Sequence, residues 1–251
     1  MDQQNRENFL NKLAAKMGRA RKLVPDQMEE QVNHHPTTRL THLSQNELCN
    51  EFMSFAKVLL VDVVETKEAD VAQAVLDVCE KYGGGNIVLN NDDRLNQLGI
   101  TDAVKAKYDS FVWDFNLDRE NIAKSAQANI GIVHAEYGLA ESGGIVLYAT
   151  KDNGRSTSLL PTTSVVVVRK SKVLPRVAQL AQILHEKAQA GERMPSCINI
   201  ISGPSATADI ELIKVVGVHG PVAKIYVVID DLYFLRFNAQ YLLGIFYFLN
   251  S

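Results

Sequence analysis

The chain is predicted to fold as an α/β protein: a mainly parallel, layered sheet flanked by helices, preceded by an N-terminal helical arm. Three observations lead there. Apolar runs rich in Val and Ile recur without polar alternation, as in strands buried on both faces. Amphipathic stretches of helical period separate most of them, the mark of strand–helix–strand units. The chain has 251 residues, 46% hydrophobic and 22% charged, enough to bury one large core or two smaller ones.

The elements follow in order. Phe9, Leu10, Leu13, Ala14 and Met17 recur at helical spacing, and Gly18 suits the end of that helix. From Val24 to Leu43, Pro25 and Pro36 interrupt the pattern and predict an irregular arm. The expected division is therefore an arm over 1–43, an α/β domain over 44–231 and a tail over 232–251. Ser44 with Glu47 forms a capping box, and Leu48, Phe52 and Phe55 give the helix behind it an apolar face. Val58 to Val64 reads as a strand, and Ala69 to Tyr82 as a helix closed by Gly83-Gly84-Gly85. Ile87 to Leu89 is a short buried strand ending in Asn90-Asn91-Asp92-Asp93; Phe111 to Trp113 is another, and Asp118 to Ala126 is helical. Strands are expected at Ile130–Val133, Ile145–Ala149 and Ser164–Val168. A helix follows at Val173–Ala190, with Pro175 in its first turn, and then strands at 197–201 and 224–229. The tail carries Tyr233, Phe234, Phe237, Tyr241, Phe246, Tyr247 and Phe248, and is expected to pack on the core or form an oligomer interface.

Bulk properties exclude some functions. A net charge of −3 gives no overall basic footprint for nucleic acid. The local cluster Lys16, Arg19, Arg21 and Lys22 suits the solvated end of a helix. Cys49, Cys79 and Cys197 are far apart, which argues against a disulfide framework and for a reducing compartment. They also argue against an iron–sulfur cluster held by this chain alone, so no cofactor of its own is expected. His34, His35 and His42 sit in a polar loop without a paired carboxylate, and no metal site is read from them. The polar N-terminus lacks the apolar core of a signal peptide, and no apolar run reaches the roughly 20 residues of a membrane span. A cytoplasmic location is expected. Dinucleotide, Walker-type and nucleophile-elbow glycine motifs are absent.

Three segments remain as carriers of chemistry. In His134 to Gly144, Glu136 and Glu141 are five apart, so a continuous strand would put them on opposite faces and a turn at Gly138 would not. Glu141, beside the Ser142-Gly143-Gly144 turn, suits an acid, a base or a nucleophile; equally, it could accept bonds from nearby backbone amides. In Asp152 to Pro161, Arg155 could clamp a carboxylate or phosphate, or Asn153-Gly154 could be a plain turn. The third is a pair of small-residue loops. Ser202, Gly203, Ser205, Thr207 and Asp209 follow the apolar run 197–201, and Gly217, His219 and Gly220 precede the next one. Such loops at strand ends suit an anion or polar ligand. His219 offers an imidazole for acid–base chemistry, and Asp209 could cap a helix or act as a base. Residues 141–144, 203–209 and 217–221 are expected to share one cleft.

The same residues resemble a family. Ala140-Glu141-Ser142-Gly143-Gly144, Leu159-Leu160-Pro161, Ser202 to Glu211 and Gly217-Val218-His219-Gly220-Pro221 are similar to the LUD domain, of the lactate-utilization protein C (LutC/YkgG) type. The resemblance covers roughly residues 45 to 230. Ser142 and Gly144 stand where the family usually shows a Thr-Gly-Thr turn, and the aromatic tail is unlike a family ending. The resemblance implies a fold like the sugar-phosphate isomerase and CoA-transferase superfamily (NagB/RpiA/CoA-transferase-like). It also implies a part in oxidising L-lactate to pyruvate beside separate subunits that carry iron–sulfur clusters. It supplies no catalytic residues. Other lactate-utilization subunits, a small carboxylate or phosphate-bearing ligand, and a second copy of the chain are the expected partners. A stand-alone isomerase, CoA-transferase or folate cyclo-ligase, with Glu141 and His219 catalytic, and a non-catalytic assembly module are the alternatives.

Overall fold

The computed structural model describes residues 2–24, 32–208 and 213–232. Asp209 and the aromatic tail beyond Leu232 lie outside the described residues. The chain divides into two compact units, Met1–His34 and His35–Ser251.

In the first unit, α1 spans Gln3–Lys16. The Asp2 side chain caps it by accepting from the Gln4 amide, and Gly18 follows at φ +64°. Ala14 is buried, whereas Phe9, Leu13 and Met17 are exposed.

The second unit opens with the short α2 (His35–Thr38) and then α3 (Gln45–Val58), whose Ser44–Glu47 capping box is complete. Helix α3 runs through Val58, so the strand expected from there begins at Val61: β1 is Val61–Lys67. Leu60, at φ +65°, makes the break between them. Then come α4 (Val71–Lys81), β2 (Ile87–Leu89), α5 (Asp93–Gln97), α6 (Ile100–Lys107), β3 (Ser110–Val112) and α7 (Arg119–Gln127). These are followed by β4 (Ile130–His134), β5 (Tyr137–Leu139), β6 (Gly144–Ala149), α8 (Ser156–Leu159) and β7 (Thr163–Arg169). The chain continues through β8 (Val173–Leu174), α9 (Val177–Gln189), β9 (Cys197–Ile201), β10 (Ala206–Ala208), β11 (Lys214–Val216) and β12 (Ala223–Asp230). The helix expected from Val173 starts later because Val173 and Leu174 pair with β5. Pro175 then precedes the helix, and Arg176 adopts extended geometry at its start.

Six strands form a wholly parallel sheet in the order β1-β12-β7-β4-β2-β3. Its central strands are buried on both faces, as their unbroken Val/Ile runs require. Val165 and Val167 join one core with α4, α5 and α6, while Val166 and Val168 join the other with α3.

Two strands expected in this sheet belong elsewhere. Residues 145–149 and 197–201 lie in a second sheet of order β8-β5-β6-β9, in which β6 pairs antiparallel with both neighbours. One face of that sheet contributes Ile145 and Leu147 to the α3 core, and the other packs Val146 and Leu139 on Leu180 of α9. At the edge of this sheet, β9 is only half-buried, with Ile200 exposed.

Candidate functional site

The parallel sheet reverses its winding direction between β2 and β4. From β2 the chain moves outward to β3; from β4 it moves the other way, through β7 to β12. In open α/β sheets the crevice at the carboxyl ends of such strands is where ligands bind. Here those ends carry Asn90 after β2, Trp113 after β3, and His134 and Glu136 at the end of β4.

An ionic triad is built there. Arg94 donates to both oxygens of Asp92, at 2.9 and 2.6 Å, and to Glu136 at 2.7 Å. Burial pushes the Asp92 carboxyl up, but the Arg94 bonds more than offset it, so its pKa lies below the usual value. His134 is buried beside this pair. Its Nδ1 sits 2.8 Å from the Ala135 carbonyl, the arrangement of an Nδ1–H donor, which leaves Nε2 as an acceptor. Burial, with the nearby Arg94 charge, lowers its pKa to about 4, so the ring is neutral at physiological pH.

Next to the triad lies a recess of about 10 Å3, room for about one water. Asn90, Tyr148, Asn153, Arg155, Ser158 and Asn199 are among its walls. The turn that supplies Asn153 and Arg155 is held in place: the Asn91 amide donates to the Asp152 carbonyl at 3.0 Å, and Thr150 Oγ1 accepts from the Asn153 amide at 3.1 Å. Asn90 Oδ1, Asn153 Oδ1, Tyr148 Oη and His134 Nε2 are buried without a hydrogen-bond partner. They account for half of the eight such atoms among the described residues. Unpaired buried polar atoms are costly, so their concentration around the ends of β2 and β4 and the β6–α8 turn makes this region the candidate site. Burial, with the charges of Tyr137 and Glu136, pushes the Tyr148 hydroxyl up to about 12, so it remains a donor. Arg155 is exposed at the rim and makes no ion pair among the described residues.

Tyr148 and Ala149 also line a larger groove of about 870 Å3, which opens between the β3 end and the segment joining α9 to β9. Trp113, Phe115, Lys151, Lys187, Glu192 and Arg193 contribute to it.

Of the residues singled out from sequence, Arg155 lies in this cleft and Glu136 in the triad beside it. Most of the others that the structure describes gather at the opposite, amino-terminal edge of the parallel sheet. There the Ser142 and Ser202 hydroxyls flank Gly144, where a Cβ would come within 3.0 and 2.6 Å of them. Gly143 lies against the backbone of Phe55 and Ala56, and Gly203 against Leu59. The Ser205 amide donates to Pro221 and its carbonyl accepts from Gly217, at 3.0 and 2.8 Å, while Gly220 abuts the Ser205 side chain. His219 is exposed, and Thr207 lies in the exposed β10–β11 ribbon opposite Val215. Asp209 lies outside the described residues. The loops therefore do adjoin one another, and the one at 217–221 links β11 to β12.

Gly138 is within β5 rather than in a turn, and Glu136 and Glu141 serve different arginines. The Glu141 carboxylate accepts from Arg176 at 2.5 Å and pairs with Arg39 at 3.3 Å. Asn90, Asp92, Arg94, His134, Tyr148 and Asn153 were not singled out as site residues. The strand-end rule applied to Asn90 and His134 was the available signal; the pairing order that makes it decisive is not written in the sequence.

A family model described as LUD domain matches residues 49–229. The chain belongs to the LUD domain family. Among its relatives is Escherichia coli "Uncharacterized protein YkgG", 51% identical over 90% of this chain and 99% of that protein. "Lactate utilization protein C" of Halalkalibacterium halodurans is 40% identical over 91% of this chain and 99% of its own length. The Bacillus subtilis protein of the same name is 36% identical, over 91% and 97%. A crystal structure of a DUF162 family protein from Deinococcus radiodurans superposes with a TM-score of 0.54 at 20% identity, covering 75% of this chain and 99% of that one. It shares the LUD fold.

Proposed function

We propose that this LUD protein is the non-cluster component of a cytoplasmic system that oxidises L-lactate to pyruvate, working beside separate iron–sulfur subunits. The observation that carries the reading is its 40% identity to a lactate utilization protein C across nearly the whole of both chains. The cleft chemistry agrees with a small hydroxy-acid ligand. Arg155 offers a bidentate partner for a carboxylate, and Asn90, Asn153 and Tyr148 offer polar atoms for a hydroxyl or keto group.

The thiols do not fit a cluster. Cys49 and Cys79 are buried in separate cores, and burial pushes each up to about 12. Cluster chemistry is accordingly assigned to other subunits.

The test is genetic. A strain lacking the gene should fail to grow on L-lactate as sole carbon source and recover with the wild-type copy. Normal growth of the deletion strain would overturn the reading.

A further inference from the structure

We infer that the groove beside the polar recess binds a phosphorylated heteroaromatic ligand of the nucleotide class. The inference does not rest on the lactate reading. It rests on three properties of one surface.

The first is size and place. At about 870 Å3 the groove is in the range of small-molecule sites, and it lies at the carboxyl end of β3, a strand of the parallel sheet next to β2.

The second is a pre-set aromatic wall. Trp113 Nε1 donates to the Lys151 carbonyl at 2.8 Å, and the indole packs on Gly154 so closely that a Cβ there would lie 2.1 Å from the ring. Phe115 is 64% exposed beside it. A fixed ring spends little ordering entropy when a heterocycle stacks on it.

The third is a local reversal of charge. The chain carries −3 overall, yet the groove walls hold Lys151, Lys187 and Arg193 against Glu192 alone. Glu192 is engaged by Lys187 at 2.7 Å, and Lys151 reaches Asp152 only at 3.9 Å. Arg193 makes no ion pair among the described residues. Cations left over beside a stacking surface match a ring joined to phosphates. Where the groove meets the recess, Tyr148 lines both, and its hydroxyl supplies a partner for one of the ligand's hydroxyl or amine groups. A small acid such as lactate would leave most of this groove empty.

Trp113 is the only tryptophan in the chain, so its fluorescence reports on this groove directly. The full-length protein is titrated with ATP, NAD and CoA, and separately with adenosine and with pyrophosphate. The expected result is a saturable change in emission with at least one of the three, with adenosine and pyrophosphate each at least about tenfold weaker. Which of the three binds tightest identifies the source of the nucleotide. The exposed double substitution Lys151→Gln/Arg193→Gln should weaken that binding about tenfold, and Phe115→Ala should weaken it as well. Lys172→Gln, exposed outside the groove, should leave it unchanged.

No saturable signal with any of the three would overturn the inference. So would pyrophosphate binding as tightly as the nucleotide, or affinity indifferent to the double substitution. These readouts are independent of growth on lactate, so the two readings can fail separately.

Discussion

The Tyr226 hydroxyl donates to the Gly143 carbonyl at 3.1 Å, joining β12 of the parallel sheet to the turn between β5 and β6 of the second sheet. Tyr226 is fully buried, and its ring stacks on Phe52 of α3 with centroids 5.4 Å apart. Tyr226→Phe keeps the stack but removes the donor. It should cost about 1–3 kcal/mol in a urea melt, the expense of an orphaned buried carbonyl. Gly143→Ala should do worse, because φ is +55° and the added Cβ would meet the Ala56 nitrogen at 2.6 Å.

His134 predicts an acid limb in stability. Its ordinary pKa is 6.5 and burial lowers it to about 4 in the fold. Above the higher value both states are neutral and the group is silent. As pH falls from there towards 4, the unfolded chain takes up a proton that the folded one refuses. Stability should drop by about 3 kcal/mol over that window and level off below it. His134→Gln should flatten that part of the pH–stability curve.

Arg94 is the keystone of the carboxyl-edge triad. Arg94→Met would leave the Asp92 carboxylate, only 5% exposed, without its counter-ion. Breaking a buried pair from one side costs about 3–5 kcal/mol, and Asp92→Asn in the same chain should restore part of the loss. A double-mutant cycle by chemical denaturation measures both.

Lys224 is buried at the start of β12 with no ion pair among the described residues, next to the unpaired hydroxyl of Ser164 across the strand. Burial lowers its pKa from 10.5 to about 8. The cost of keeping it charged is full below the lower value and is relieved as pH rises between the two. Lys224→Met should therefore raise stability at neutral pH by about 2–3 kcal/mol. A gain in melting temperature together with lost growth on L-lactate would give this lysine a role in function.

Glu141→Gln separates chemistry from architecture at the turn after β5. The Arg176 and Arg39 pairs it would lose are partly exposed, so the stability change should stay within about 1 kcal/mol. Growth on L-lactate supported by the folded variant is expected to match wild type. Loss of growth would make Glu141 a reacting group.

The sequence by itself determined most elements and the family. The Val165–Val168 run reads as a strand covered on both faces, Ser44 with Glu47 as a helix start, and residues 202–211 and 217–221 carry the LUD resemblance. Local periodicity and capping chemistry are written in neighbouring residues, so they can be read along the chain. Tertiary structure alone decided which strands pair. Apolar runs 145–149 and 197–201 look like strands of the main sheet, yet they pair antiparallel in a second one. Strand order in turn decided where the polar edge falls. Asn90, His134 and Tyr148 are ordinary residues in the linear text. Only the tertiary structure, setting the β2 and β4 ends near β6 of the second sheet, buries these polar atoms without hydrogen-bond partners.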